Sequence, residues 1–449
     1  METAPGGARR GAPRGVTARR SPVGERLGPE VSGSTLRGRI PAAGAFDVPG
    51  PVQRTVPHPL PVAADDRRAP HAPDLTLEAI TTEPAFLALR EQWNALVPAS
   101  RAPSVFLRHE WFDAAWQWRR TDGALRTLVA RRDGELVGAM PLLRTSRASA
   151  SGRRRVLEFL TVPDTQCCDI LATAGHAAAV ADSFAGALAV FGSEWDVLEL
   201  GYLQEDATAV TAFADALRRS GCTVVIEPAG SNPYIALGST WDAYYGARSR
   251  SLKKASNLAL NRVAKSGEPK IDWHRPAAGE AEALLATLID VSSRSWKRTT
   301  GNSLDQAGPQ AFIRRLSELA AERQWLSVWT LALDGKPIAM EYQLVFGGQV
   351  HALRSDFDQA CGEISPGSYL NRVLLERLFS GEFVRYYMGP GDNAYKLRWA
   401  EGSSPLQKLT AYSRSPRGRL AALVDLRLKP LARAIRDRIR PSPPAPGED

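Results

Sequence analysis

Leu326-Ser327-Val328-Trp329-Thr330-Leu331-Ala332-Leu333-Asp334-Gly335-Lys336-Pro337-Ile338-Ala339-Met340-Glu341-Tyr342-Gln343-Leu344-Val345 is a pair of apolar runs joined by Asp-Gly. That pair tolerates the positive φ of a tight hairpin turn, so strands are predicted over 326–332 and 338–345. Upstream, one helix ends near Trp296 and another runs from Gln310 to Ala321. The same order occurs earlier in the chain. A helix ends near Trp93, a second covers Trp111 to Trp118, and a hairpin runs Leu125–Arg131, Asp133-Gly134, Leu136–Leu143. Trp93 to Asp133 is 40 positions and Trp296 to Asp334 is 38. Asp-Gly turns are common singly. Order and spacing together predict an internal duplication, an α/β fold with two mixed sheets.

Each half continues in the same manner. The first adds strands at Val156–Leu160, Val197–Leu200 and Thr223–Ile226, with helices at His176–Phe191 and Asp206–Arg218. The second adds the strand Val350–Phe357, the helix Pro366–Phe379 and the strand Phe383–Met388. Residues 1–72 are rich in Gly, Pro, Ala and Arg without apolar periodicity, the composition of a disordered tail. Order is expected to begin near Asp74–Leu77, and the chain ends in a Pro-rich segment from Pro441. The expected organisation is a tail (1–72), two domains (73–238 and 239–413), and a basic helix with its tail (414–449).

At 449 residues with 44% hydrophobic content, the chain is long enough to bury a sizeable core. It has no apolar run of 18 residues and no apolar stretch behind Arg9-Arg10, so neither a membrane-spanning helix nor a secretion signal is expected. A cytoplasmic protein is the expectation. Cys167, Cys168, Cys222 and Cys361 form no CxxC pair, which argues for reduced thiols and against a metal site. The net charge of +9 favours an anionic partner, though much of the excess lies in the tails.

The stretch Val350–Trp399 carries most of the chemistry. A strand ends at Asp356-Phe357-Asp358, and Ser365-Pro366-Gly367-Ser368 opens a helix. Ser is a favoured N-cap, Pro fits the first turn, and Gly leaves the backbone uncovered. The first-turn N–H groups lack intrahelical partners, so this end is either a well-capped terminus or a seat for a pyrophosphate. Asp356 and Asp358 alternate, which puts both on one side as candidate bases or holders of a cation. Glu341, among apolar neighbours, faces either a cleft or the open side of the sheet. After Gly389-Pro390-Gly391, Tyr395 and Lys396 are expected on a strand, with a phenol able to protonate a leaving group and an ammonium able to bind phosphate or carboxylate. Trp296 and Trp399 are candidate pocket walls, and Asp169, after Cys167-Cys168, a candidate for an acceptor cleft between the halves.

These residues resemble the CelD/BcsL-like acetyltransferases, a branch of the GNAT superfamily related to the Fem-type aminoacyl transferases. The resemblance is carried by Asp334-Gly335-Lys336-Pro337-Ile338-Ala339, Ser365 to Leu370, Gly389 to Trp399 and, in the first half, Phe106-Leu107-Arg108-His109-Glu110-Trp111. It spans roughly 75–412. It implies two tandem GNAT-like domains, the second binding acetyl-CoA or another acyl-CoA at Ser365, Pro366, Gly367, Ser368 and Lys396. It also implies acyl transfer to an amine or hydroxyl of a sugar, polysaccharide or related small acceptor, without a metal. Asp356, Asp358, Glu341 and Tyr395 become the candidate catalytic residues. The usual GNAT loop, with Arg or Gln before Gly-x-Gly, is absent here, as in the Fem-like branch. The alternatives are an aminoacyl-tRNA-dependent transferase and a non-catalytic scaffold.

Two basic segments remain. Arg248–Lys265 reads as a helix with six basic residues and no acidic one, either a solvated face or a grip for phosphate, lipid or tRNA. Arg417–Arg440 reads as a basic amphipathic helix with Leu420, Leu423, Val424, Leu428 and Leu431 on one side. Pro430 is expected to kink or split it. Nucleic acid is not the expected partner; peripheral contact with a membrane is the alternative to packing on the body.

Overall fold

Asp133-Gly134 and Asp334-Gly335 turn with positive φ at both residues (51° and 84°; 50° and 79°), the backbone a two-residue hairpin loop requires. The structure, a computed structural model, describes residues 75–432 apart from 100–102 and 150–151. The tails expected at 1–72 and from Pro441 lie outside the described residues. The first pass comprises β1 (Thr76–Ile80), α1 (Glu83–Leu87), α2 (Arg90–Leu96), α3 (His109–Arg119), β2 (Gly123–Leu125), β3 (Thr127–Arg132) and β4 (Glu135–Met140). It continues with β5 (Leu142–Ser149), β6 (Gly152–Phe159), β7 (Leu171–Ala172), α4 (Ala177–Val190), β8 (Val197–Leu203), α5 (Ala214–Arg219) and β9 (Thr223–Ala236). Helices α6 (Trp241–Gly246) and α7 (Arg250–Ser266) lead into the second pass. This comprises β10 (Pro269–His274), α8 (Ala281–Ser293), α9 (Ala307–Glu322), β11 (Leu326–Leu333), β12 (Lys336–Phe346), β13 (Gln349–Phe357), α10 (Pro366–Phe379), β14 (Arg385–Tyr387), α11 (Ala394–Trp399), β15 (Gly402–Tyr412) and α12 (Pro416–Leu423).

The repeat goes further than its hairpins. In each pass the opening strand pairs antiparallel with the first hairpin arm, β1 with β3 and β10 with β11. In each, a helical crossover then links two parallel strands, β6 with β8 and β13 with β14. The expectation of two mixed sheets is corrected. One sheet, β1-β3-β4-β7, is wholly antiparallel. The other is a single eleven-stranded sheet, β10-β11-β12-β13-β14-β9-β15-β8-β6-β5-β2, that runs through both halves. The cause is an exchange of long strands. β9, from the first half, pairs with β14 and β15; β15, from the second, pairs with β9 and β8. Each strand's edge peptides find their partners in the other half.

Equivalent helices also meet. Trp111 of α3 sets its ring edge-on to Phe312 of α9 at 5.3 Å. The buried Asp113 of α3 accepts from Arg90 at 2.7 Å and from Arg315 of α9 at 2.8 Å. Glu110 accepts from Asn94 and from Arg323, and His109 stacks on Phe86. The Phe106–Trp111 stretch therefore serves the core and the contact between halves. On α7, Leu252, Ser256, Ala259 and Val263 form the buried stripe, at helical spacing. Downstream of α12, a wide five-residue turn (Val424–Leu428) precedes Pro430, and the helix continues to residue 432. The regular α-helix is thus interrupted ahead of Pro430, where the wider turn makes room for the ring.

Replacing Asp113 by Ala leaves two arginines without their shared carboxylate. Both keep some access to water, so the expected loss is roughly 2 to 3 kcal/mol, below the usual range for breaking a buried pair. Chemical denaturation of Asp113→Ala against the unaltered chain measures it.

Candidate active site

β13 and β14 run parallel only over Gln349–His351 and Arg385–Tyr387. Past Tyr387, Met388 and Gly391 donate their N–H groups to the carbonyls of Pro233 and Ser231. The chain therefore follows β9 and leaves β13. The parting opens a cavity of about 570 Å³. Its walls are Met340 and Glu341 of β12, Ala352, Leu353 and Ser355 to Phe357 of β13, the first turns of α10, Tyr386 and Met388, Asn393, Tyr395 and Lys396, and Trp296-Lys297.

The start of α10 opens into this space through Gly367, Ser368, Leu370 and Asn371. Pro366 occupies the first turn as expected. Ser365 does not cap as expected: it lies in the left-handed region (φ 59°), and its side chain makes no cap hydrogen bond. With no side-chain acceptor supplied there, the first-turn amides are left to whatever enters the cavity. Asn371, one turn on, is 4% exposed, and its Nδ2 has no protein partner.

Three carboxylates were expected near this point, and the structure brings two of them to the cavity. Glu341 lines the cavity and accepts from Tyr386 Oη, Gln343 Nε2 and Ser355 Oγ, each at 2.7 Å. Burial pushes its pKa up against those three donors. Asp356 also lines the cavity, bonded to Ser292 Oγ at 2.7 Å and paired with Lys297 at 2.5 Å. Asp358 does not share its side. It caps the next turn by accepting from Ala360 N and pairs with Arg294 and Lys336. Burial alone would raise its pKa, but these partners hold it below the usual value. Strand alternation ended one residue too early for the expected pairing.

Tyr395 and Lys396 lie on the short helix α11, not the expected strand, because Asn393 caps the backbone N–H of Lys396. Both face the cavity. Lys396 Nζ donates to the carbonyls of Gly389 and Pro390, each at 2.8 Å. Burial, then Lys297, lowers its pKa to about 8. Burial, then Glu341, raises that of Tyr395.

Of the two tryptophans, Trp296 lines the cavity and is 51% exposed. Trp399 is core: it is 2% exposed, and its carbonyl accepts from Tyr244 Oη and Arg248. Asp169 is likewise structural. Its carboxylate accepts from the N–H groups of Ile170, Thr208 and Ala209, and burial raises its pKa to about 6. It lines neither this cavity nor its mouth, its oxygens being taken up by those backbone donors. Sequence reading missed Lys297, Ser355, Asn371 and Tyr386. Only Asn371 carried a signal, four residues after Gly367 on the same helical face.

A parallel pair that parts, a helix start facing the gap, and a buried carboxylate among donors can hold an anion beside a base. Residues 250–397 match the model of an acetyltransferase (GNAT) domain. No curated protein sequence matches the chain. Solved structures of similar outline include FemX (TM-score 0.48, 11% identity, 75% of this chain and 98% of that one). Others are a tandem GNAT protein from the clavulanic acid biosynthesis pathway (0.44, 11%, 76% and 99%) and L-PGS from Bacillus licheniformis (0.43, 12%, 73% and 97%). Every residue that lines the cavity lies within the matched segment. Among the described residues no group of His, Cys, Asp and Glu could hold a metal, and no helix is long and apolar enough to cross a membrane.

Asn371→Leu removes a buried amide that satisfies nothing in the protein. Stability is expected to hold or rise by about 1 kcal/mol, while affinity for coenzyme A falls. Thermal unfolding and calorimetric titration of one variant separate the two effects.

Proposed function

We propose that the β13–β14 cavity transfers an acyl group from acyl-CoA to an amine or hydroxyl of a sugar, polysaccharide or related small acceptor. The observation that carries this reading is the start of α10, whose free amides, with Asn371, open into the cavity beside two lysines. Helix-start amides and a cation suit a pyrophosphate. In this reading 239–413 is the acyl-CoA-binding domain and 73–238 its GNAT-like duplicate.

Gly367, Ser368, Asn371 and Lys396 hold the anionic part, and the thioester supplies an activated acyl group. Glu341 is the base: desolvation raises its basicity, and its three donors fix its orientation. It takes the acceptor's proton as the acceptor atom bonds to the acyl carbon. Tyr395 protonates the sulfur as the carbon–sulfur bond breaks. Asp356, tied to Lys297 and Ser292, positions that lysine.

One feature supports a second reading, transfer from a charged tRNA. Arg250, Lys254, Arg262 and Lys265 of α7 are exposed on a helix without acidic residues. A tight complex with tRNA that weakens steeply with salt would favour it. Beyond α12, Leu420, Leu423, Leu428 and Leu431 are 46–58% exposed beside Arg417, Arg427 and Lys429. That pattern supports peripheral contact with an anionic membrane.

Saturating coenzyme A or acetyl-CoA is expected to raise the melting temperature, since both bind the folded chain alone; no shift with any acyl-CoA would defeat the proposal. Glu341→Gln is expected to lower turnover by roughly 10²- to 10⁴-fold with coenzyme A affinity retained. Lys396 is protonated below about pH 8, so coenzyme A affinity should fall as pH rises through that value. Lys396→Gln should bind roughly ten- to a hundredfold more weakly at neutral pH and lose that dependence.

A further inference from the structure

A second cavity, of about 290 Å³, lies where the two halves meet, at the paired ends of β13 and β14. We infer that it seats a sugar: a polyhydroxylated acceptor, neutral or carrying an acid group, held mainly by Gln166, Gln204 and Asn232. The inference rests on the transferase reading and supplies its acceptor site.

The lining is unusual in composition. Four carboxamides, Gln166, Gln204, Asn232 and Gln349, face it together with the hydroxyls of Ser104 and Ser404. Among the described residues no carboxylate lines it, and Arg385 is its one cation. Such a wall gives and accepts hydrogen bonds without demanding charge, which matches a ring of hydroxyls. Tyr387, only slightly exposed, adds an aromatic edge to this polar lining.

The polar groups are held in place, and one is left over. Gln166 Oε1 accepts from Asn232 Nδ2 and His351 Nδ1, each at 3.2 Å. Those bonds fix the orientation of Asn232, whose Oδ1 then has no protein partner although the residue is only 5% exposed. A buried carbonyl oxygen without a donor is costly, so it calls for a donor from outside the protein. The same pattern puts the proton of His351 on Nδ1. Stacked on Tyr387 at 5.0 Å, its ring is neutral, with burial lowering its pKa to about 3. Arg385 lies over Tyr234 at 4.3 Å and donates to Tyr387 Oη at 2.9 Å, with no carboxylate beside it among the described residues. It repels an ammonium and welcomes an acid.

The two cavities nearly touch. Gln166 Nε2 donates to the carbonyl of Ala352, a wall residue of the first cavity, at 2.8 Å. A Cβ placed on Gly389 would stand 3.7 Å from that Nε2 and 3.6 Å from Lys396 Nζ. One glycine therefore stands between the carboxamide cluster and the lysine of the transfer site.

Saturation-transfer NMR on the full chain tests this, using methyl β-glucopyranoside, glucuronic acid, glucosamine and a cello-oligosaccharide as probes. The neutral and acidic sugars are expected to show saturation, and glucosamine much less. A signal from the oligosaccharide but not the monosaccharide assigns the site to a chain end; the converse assigns it to a free sugar. Asn232→Leu should abolish saturation, and Gln204→Ala, whose backbone carbonyl bond to Ala207 is untouched, should weaken it several-fold. Coenzyme A titration of the same samples keeps two failures apart. Sugar binding without coenzyme A binding upholds the pocket and overturns the transferase reading. Coenzyme A binding with no sugar signal, or a signal untouched by both variants, overturns the pocket alone.

Discussion

Everything functional here follows from where Met388 and Gly391 place their N–H groups. Those two amides bond to β9, a strand of the other half, and so pull the chain away from β13. Had residues 388–391 stayed with β13, the parallel pair would have closed and the cavity with it. The strand exchange that fuses two repeats into one eleven-stranded sheet is thus the same feature that opens the site. Stability and access come from one set of backbone hydrogen bonds.

The cavity's electrostatics form a graded arrangement. Lys297 is tied to Asp356, and Lys396 to two carbonyls, so neither cation is free to wander. Burial, then the nearby Lys297, lowers the appetite of Lys396 for a proton. An anion entering the cavity would oppose that shift, since an opposite charge favours the protonated lysine. Glu341 makes no ion pair and is held by three neutral donors, with Lys297 acting on it more weakly than these. That distinction leaves it basic enough to take a proton, whereas a carboxylate locked to a lysine is not.

Much of this was legible in the residues, and the parts that were not share a cause. The Asp-Gly hairpins, the helix Pro366–Phe379 and the repeat itself are written in short-range patterns: turn chemistry, capping and period. β10 and β15 escaped notice. Pro269 and Pro405 interrupt their runs, and each is held in place by a neighbour far along the chain. The continuous sheet was missed for the same reason, because pairing between halves leaves no local trace. In the site, Glu341, Asp356, Gly367, Ser368, Tyr395, Lys396 and Trp296 do converge on one cavity. Asp358, Trp399 and Asp169 do not. Each met a local partner that sequence spacing cannot see: a turn N–H, a core wall, and a neighbouring helix start.

The two crossovers also show how a duplicated frame comes to hold one transfer cavity where they differ. α4 begins after His176, whose ring bonds Thr173 and Arg132, and continues with three alanines. Its first buried residue, Val180, presses against Gly138 of β4 so closely that a Cβ there would clash at 2.5 Å. α10 begins with Pro-Gly-Ser, and a Cβ placed on Gly367 would meet the Phe357 ring at 3.3 Å, tight but short of the clash at Gly138. One helix start is packed shut by its own strand and the other faces open space. With the backbone order the same, the difference lies in a few side chains at the first turn. Repeating a fold therefore fixes where a ligand might enter, and those first-turn residues decide whether the entrance exists.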